Sequence, residues 1–184
     1  MHIELLVRDY GRIIGLSRYN QSLINGFDKA GISYSLVTPE VPLFIKAAHS
    51  LLKHFGLNVS MFYENYPLFA RVNKYALKHL TAQEMGTLLW ITPHIHPCVV
   101  TVHDIVPYLV RNDKTQTTFR HPIDRLFNQL AMHGLKRADA LISISEFTKY
   151  TLIVALQCKP EKINVVPRDV NHLLFHQLAL TDYF

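Results

Sequence analysis

Two polar residues, His103 and Asp104, directly follow the most strand-like stretch of the chain, residues 99–102. An apolar, β-branched run without alternation is typical of a strand buried on both faces of a parallel sheet. The two polar residues would then lie at the carboxyl end of that strand, where ligands bind in open α/β sheets. An imidazole at such a place can exchange a proton or hydrogen-bond a ligand. On this stretch alone, an equally good interpretation is that the pair only ends the strand and that Asp104 caps the next turn.

A second candidate is the glycine loop at Gly11 and Gly15, which lies between a predicted strand and a predicted helix. The loop lacks the GxGxxG pattern of dinucleotide-binding proteins. A loop that enters a helix nevertheless presents unpaired amides and a partial positive charge, which attract a phosphate or a carboxylate. Arg12 and Arg18 would strengthen that attraction. The pattern leaves open whether Gly15 lies near a phosphate or has only a conformational role.

Three histidines, His94, His96 and His103, could hold zinc, because an HxH pair and a third histidine are suitable ligands. Prolines on both sides of the HxH pair instead indicate a connection between strands, and we predict no metal site. No serine lies in a nucleophile elbow, and neither Cys98 nor Cys158 has an adjacent base in the sequence. The sequence therefore gives no support to covalent catalysis.

The composition is that of one globular domain with an affinity for anions. The chain has 184 residues, of which 49% are hydrophobic and 18% charged, and its formal net charge is +5. The positive net charge favours phosphates, nucleotides or acidic lipid as partners. The basic residues are scattered, without the dense run that binds nucleic acid. Two cysteines without a CxxC pair favour a reducing compartment. The sequence shows neither a signal peptide nor an apolar run of the roughly 20 residues that span a bilayer, so we predict a cytoplasmic protein.

The apolar pattern predicts six strands that alternate with helices, which makes a doubly wound, mainly parallel α/β sheet with helices on both faces the economical fold. A right-handed βαβ unit opens the chain. The residues 111–118 are polar without periodicity and are predicted to form a loop. The predicted strands are 2–7, 33–37, 87–92, 99–105, 140–144 and 163–166, and the predicted helices lie at 17–30, within 41–80, at 122–135 and at 147–157.

Several residues mark the ends of these helices. Ser17 is the predicted N-cap of the first helix, and Gly31 follows its last turn. Pro122 suits the first turn of its helix. For the helix that begins near residue 147, Ser143 has the capping-box spacing to a glutamate, whereas Ser145 is an equally good N-cap.

Residues 41–80 contain two segments with apolar residues on one helical face and basic residues on the other. The simpler interpretation is a helix pair packed on the sheet. The alternative is a basic amphipathic surface that rests on an anionic membrane.

Four segments, taken in this order, resemble the N-terminal half of the GT-B-fold glycosyltransferases of family 4. They read Gly-Leu-Ser-Arg-Tyr at 15–19, Val-His-Asp-Ile-Val-Pro at 102–107, Arg-Ala-Asp-Ala-Leu-Ile-Ser-Ile-Ser-Glu-Phe-Thr at 137–148, and Pro-Glu-Lys-Ile-Asn-Val-Val-Pro at 160–167. The resemblance covers residues 2–175 and predicts one Rossmann-like domain over residues 1–175. Residues 176–184 would then begin a linker or tail.

The resemblance implies a retaining transfer of sugar from a nucleotide-sugar to a sugar or lipid-linked acceptor, with no cofactor or essential metal. Two Rossmann-like domains would face each other across a cleft, the first holding the acceptor and the second most of the donor. Peripheral contact with the inner membrane face would suit a lipid-linked acceptor. The implied roles are catalysis for His103, proximity to the donor diphosphate for Gly15, Leu16 and Arg18, and lining of the cleft for Asp104, Ser145 and Glu146.

The sequence departs from the family at its end. Residues 168–171 read Arg-Asp-Val-Asn in place of the usual Asn-Gly-Val-Asp, and the acidic donor motif of a second domain is not reached before Phe184. We therefore expect this chain to be inactive alone and to need a donor-binding domain, in cis or in trans. Two rival functions stay open. One is a non-catalytic module that docks a separate donor-binding domain; the other is an oxidoreductase or other Rossmann enzyme, against which the missing GxGxxG pattern counts.

Overall fold

The computed structural model describes residues 2–7, 15–40, 66–119 and 121–167, together with the single positions 43, 47, 51 and 54. Within these residues the six strands form one sheet in the order β2-β1-β3-β4-β5-β6, and all neighbouring strands are parallel. The chain runs from β1 outward to β2 and then returns to the other side of β1, so the strand order reverses between β1 and β3. The predicted doubly wound parallel sheet is therefore confirmed. The strands are β1 His2–Leu6, β2 Ser33–Val37, β3 Leu77–Leu80, β4 Cys98–Val102, β5 Ala140–Ser143 and β6 Ile163–Val165.

The described helices agree with most of the predicted ones. Gly31 follows the first helix with a φ of 63°, as its predicted place after the last turn requires. Ser145 is the N-cap of the last helix, since its Oγ accepts from Thr148 N at 3.1 Å. The helices are α1 Gly15–Lys29, α2 Leu88–Ile91, α3 Val106–Leu109, α4 Pro122–Gly134 and α5 Glu146–Leu156, with 3-10 turns at Gln83–Thr87, Leu135–Arg137 and Pro160–Lys162.

The third strand was predicted in the wrong place. Residues 87–91 are helical, within the 3-10 turn and α2, and Thr92 follows in an extended conformation. The strand is Leu77–Leu80, which the pattern had assigned to a helix over 66–80. A short apolar run such as Leu-Leu-Trp-Ile suits a buried helix as well as a strand. Lys78 was assigned to the exposed face of that helix, but Lys78 and the neighbouring His79 are both buried in the sheet. A smaller error concerns Ser17: because α1 begins at Gly15, Ser17 lies inside the first turn and is not its N-cap.

The buried polar residues of β3 have partners on both sides. Lys78 Nζ donates to His96 O at 3.3 Å, and Lys78 is paired in register with Glu4 of β1. The pKa of Lys78 is lowered overall, because the effect of burial is larger than the opposing effect of the Glu4 carboxylate. Glu4 in turn accepts from Asn73 N with both of its oxygens, at 3.1 and 2.9 Å. A carboxylate and an amine are thus held together where the strand order reverses.

The apolar core lies between the sheet and the helices of its carboxyl half. There α4 packs directly against the Gln83–Thr87 turn, and two glycines allow this close approach. A Cβ on Gly134 would overlap the carbonyl oxygen of Gly86, and one on Gly86 would overlap that of Ala131. The core includes Leu6, Leu80, Met85, Leu88, Val100, Met132, Leu141, Leu152 and Ile163.

Only part of the predicted basic surface is described. Positions 43, 47, 51 and 54 are helical and exposed, and Leu43 and Leu51 are among the exposed apolar residues. These two side chains therefore do not belong to the apolar core. The other residues of 41–54 that were assigned to this helix lie outside the described residues, and so do Gly11, Arg12 and 168–184. Among the described helices, none combines the length and the apolar character that crossing a bilayer requires.

Candidate functional site

A group of polar side chains meets at the carboxyl ends of β3 and β4, beside the place where the strand order reverses. Thr101 Oγ1 lies 2.8 Å from Tyr19 OH of α1 and 2.8 Å from His79 Nε2 of β3. The Tyr19 ring meets the ring of His103 edge to face, with centroids 4.8 Å apart and an interplanar angle of 86°. We call Tyr19, His79, Thr101 and His103 the strand-end cluster. Its position is the one at which open α/β sheets bind ligands.

The inner part of the strand-end cluster is uncharged. Burial, with a smaller contribution from His103, lowers the pKa of His79 to about 4. His79 is therefore neutral near pH 7, and its Nε2 exchanges a neutral hydrogen bond with the fully buried Thr101. This buried, uncharged pair contacts Tyr19 through the hydroxyl of Thr101.

His103 is half-buried and is fixed by its backbone as well as by its ring. His103 N donates to Gln83 Oε1 at 3.1 Å, and His103 O accepts from Thr148 Oγ1 at 3.2 Å. The ring atom Nε2 lies 3.0 Å from Thr81 O. Because a carbonyl oxygen only accepts, Nε2 carries a proton, and the lone pair of the neutral ring is on Nδ1. The sequence-predicted residue thus lies at the end of β4 with a defined orientation.

Ser145 is brought close to His103, whereas Asp104 and Glu146 lie farther into solvent. Ser145 Oγ is 3.0 Å from Thr148 Oγ1, which itself donates to His103 O. Asp104 is exposed, and its Oδ1 accepts from Val106 N at 3.0 Å, so the carboxylate stabilises the following turn. Glu146 is exposed in the first turn of α5.

The start of α1 approaches the same edge of the sheet. Gly15 and Leu16 are its first residues, and Arg18 is exposed on the first turn. Tyr19, the next residue, reaches Thr101 of β4. The start of α1 at Gly15 and the His103 strand end, which the sequence suggested separately, therefore belong to one region.

Sequence reasoning missed most of the residues around His103. His79 was missed because β3 was predicted as a helix. Thr101 was read only as one more β-branched residue of a buried strand, and Tyr19 only as an apolar position of α1. The one signal that was available is a hydroxyl in an otherwise apolar strand, since a buried hydroxyl needs a hydrogen-bond partner.

The three histidines considered for zinc do not come together. His103 is bonded to Thr81 O, His94 is exposed with a φ of 59°, and His96 lies at the opposite edge of the sheet. Both cysteines are buried and reduced. Burial raises the pKa of Cys98 to about 11 and also raises that of Cys158, so neither thiol is activated as a nucleophile.

Comparison with known protein families agrees with this arrangement. The family model described as Glycosyltransferase Family 4 matches residues 13–172, which is most of the chain. The matched region contains α1, all strands from β2 onward and the whole strand-end cluster. A comparison with curated proteins gave no match. The parallel sheet and the extent of the match show that the chain belongs to glycosyltransferase family 4.

Proposed function

We propose that this chain is the acceptor-binding half of a glycosyltransferase that transfers a sugar from a nucleotide-sugar with retention. The observation that carries the proposal is the place of His103, at the carboxyl end of β4 and in contact with Tyr19 and the start of α1. Membership of the family supports glycosyl transfer in general. The choice of acceptor side rests on the resemblance to the N-terminal half of the GT-B fold.

His103 is the proposed catalytic residue. When protonated, its ring can donate to a sugar hydroxyl or stabilise the negative charge that develops as the diphosphate departs. When neutral, the ring keeps its Nε2 proton on Thr81 O, so its Nδ1 is the atom with acceptor character. The edge contact with Tyr19 and the backbone bonds to Gln83 and Thr148 hold the ring in place for either role.

The start of α1 is the proposed contact with the donor diphosphate. Amides at the N-terminus of a helix attract phosphate, and α1 is long enough, at 15 residues, to have a substantial dipole. Its residues Gly15, Leu16 and Arg18 would touch the diphosphate, with Asp104, Ser145 and Glu146 along the cleft. A donor-binding domain, in cis or in trans, would supply the remaining donor contacts. The proposed reaction uses the nucleotide-sugar as a co-substrate and needs no cofactor.

A lipid-linked acceptor fits the exposed leucines of the 41–54 region. Leu43 and Leu51 are helical and exposed in a segment that also carries Lys46 and Lys53. Apolar and basic residues together favour contact with an anionic bilayer. We therefore propose a site of action at the cytoplasmic face of a membrane.

A docking module is the second candidate, and exposed apolar side chains at the same edge of the sheet favour it. Val106 follows the end of β4 and is 48% exposed, and Phe147 follows the end of β5 and is 65% exposed. Such residues suit burial against another polypeptide. A separate donor-binding domain is the partner that this location predicts.

The test is calorimetric titration of the chain with UDP, GDP, ADP and their sugars, alone and with candidate donor-binding domains. Transfer that appears only with such a domain, with the anomeric configuration of the donor kept in the product, supports the proposal. His103→Ala should lower the rate of transfer sharply, whereas the matched surface variant Lys114→Ala should not. A stable complex without transfer would favour the docking module. A product with inverted anomeric configuration would refute retention. Turnover by the chain alone would refute the need for a separate donor-binding domain.

A further inference from the structure

A second cluster of chemically active side chains lies at the amino-terminal edge of the sheet, away from the strand-end cluster. His96 precedes β4, Cys98 opens it, and Asp139 directly precedes β5. His103 follows the other end of β4, which at 3.3 Å per residue is roughly 13 Å away along the strand. A ligand bound at one edge would not touch the other.

The three ligand atoms have distances close to those that a tetrahedral metal ion requires. His96 Nδ1, Cys98 Sγ and an Asp139 carboxylate oxygen all lie within 4.8 Å of one another. The Sγ–Nδ1 distance is 3.7 Å, and zinc bonds to sulfur and nitrogen at a tetrahedral angle span about 3.6 Å. His96 Nδ1 and Asp139 Oδ2 are 2.8 Å apart and would need to separate to about 3.4 Å. A small rotation of two half-exposed side chains suffices.

The backbone already positions two of these residues. Asp139 Oδ2 accepts from Cys98 N at 2.8 Å, and Asp139 N donates to Cys98 O at 3.1 Å. The backbone carbonyl of His96 accepts from the buried Lys78. The side chains of His96 and Asp139 are 47% and 53% exposed, whereas Cys98 is buried. The thiol therefore forms the base of a site that solvent reaches past the imidazole and the carboxylate.

The donor set selects the metal. Magnesium and calcium prefer oxygen ligands, whereas imidazole, thiolate and carboxylate together suit zinc. Binding would form Zn–N, Zn–S and Zn–O bonds and break the His96–Asp139 hydrogen bond. The neutral His96 ring would change tautomer, with its proton moving through solvent from Nδ1 to Nε2, and the Cys98 proton would be released to solvent. The zinc, thiolate and carboxylate charges then sum to zero, so the occupied site carries no net charge beside Lys78. Water would complete the coordination.

We infer that His96, Cys98 and Asp139 form a zinc-binding site at the amino-terminal edge of the sheet. The expectation of no metal was drawn for His96 together with His94 and His103. Folding instead places His96 beside Cys98 and Asp139, a partner 43 residues away in sequence. The site is independent of the proposed glycosyl transfer.

Cobalt titration of the reduced, metal-free chain tests this site directly. Cobalt bound to a thiolate gives a charge-transfer band in the near ultraviolet, and zinc should displace the cobalt and abolish the band. We expect one equivalent to bind, Cys98→Ser to lose the band, and His96→Asn and Asp139→Asn to weaken binding by about tenfold or more. The controls Cys158→Ser and His94→Asn should bind as the unchanged chain does.

Three results would overturn the inference: no band in the unchanged chain, a band that survives in Cys98→Ser, or one lost in Cys158→Ser. Far-ultraviolet circular dichroism of each variant checks that it folds. Because His96 and Asp139 are half exposed, their variants keep the test decisive if Cys98→Ser fails to fold. No activity is measured, so failure here leaves the proposed glycosyl transfer untouched.

Discussion

Acidification should destabilise the chain through a single buried imidazole, His79. In the folded protein its ring is buried next to Thr101, and burial lowers its pKa from 6.5 to about 4. In the unfolded chain the same ring is in water and titrates near 6.5. Below that pH the unfolded state therefore takes up a proton that the folded state does not, and protonation favours unfolding.

The size of the effect follows from the two pKa values. The folded pKa is the lower one, so the contribution of His79 to stability is complete above about pH 7 and is lost as the pH falls. Between pH 7 and pH 5 the free energy of unfolding should decrease by about 2 kcal/mol, and below pH 4 the total loss approaches about 3 kcal/mol. Since a domain is stable by only about 5–15 kcal/mol, this loss is readily measured.

The assay is urea unfolding at a series of pH values between 7 and 4.5, for the unchanged chain and for His79→Gln. Glutamine keeps a hydrogen-bonding group for Thr101 but has no titratable ring, so the variant should lack about 2 kcal/mol of the pH dependence. His121→Gln, which removes an exposed imidazole that makes no capping hydrogen bond, is the matched control. Parallel stability profiles for the unchanged chain and His79→Gln would refute the reasoning.

Three further predictions concern single residues. His103→Ala should lower turnover of the complete two-domain enzyme by about 10²–10⁴-fold while leaving stability nearly unchanged, as steady-state kinetics and thermal unfolding would show. Gly134→Ala should destabilise the chain by about 1–3 kcal/mol in urea unfolding because its Cβ would overlap Gly86 O, whereas Gly26→Ala in α1 should stabilise it by about 0.5–1 kcal/mol. Ser145→Ala should cost about 1 kcal/mol of unfolding free energy, since the cap of α5 is lost.

Each of these predictions has a contrary outcome. Undiminished turnover in His103→Ala would show that the imidazole takes no part in the reaction. If Gly134→Ala were as stable as Gly26→Ala, α4 and the turn beneath it could not be in the close contact described. An unchanged unfolding free energy in Ser145→Ala would mean that the hydroxyl contributes nothing to the start of α5.

The sequence predicted those parts of the fold whose signals are local. The apolar run of β4, the proline and periodicity of α4, and the cap of α5 each depend on a few neighbouring residues. By contrast, β3 could not be predicted from its own residues, because Lys78 and His79 are buried only when β1 and β4 lie on either side. Its partners determine that it is a strand, and these lie far away in the chain.

The candidate site likewise has one part that the sequence could predict and another part that it could not. The place of His103 at a strand end could be predicted because the end of a strongly apolar strand is visible in the sequence. Its surroundings could not, since Tyr19 and Thr101 are 82 residues apart and His79 belongs to the strand that was missed. Which side chains surround a strand end depends on strand order, and that order follows from packing of the whole domain.

The hydroxyl of Thr101 links the protonation of His79 to the hydrogen bond of Tyr19. It contacts both Tyr19 OH and His79 Nε2 but owns one proton, so it can donate to only one of them. If His79 carries its proton on Nδ1, Thr101 donates to it and Tyr19 must donate to Thr101. If the proton is on Nε2, Thr101 can instead donate to the phenol oxygen. A change of tautomer in the buried His79 ring can thus turn the Tyr19 hydroxyl from a hydrogen-bond donor to Thr101 into an acceptor. No heavy atom has to move for this change.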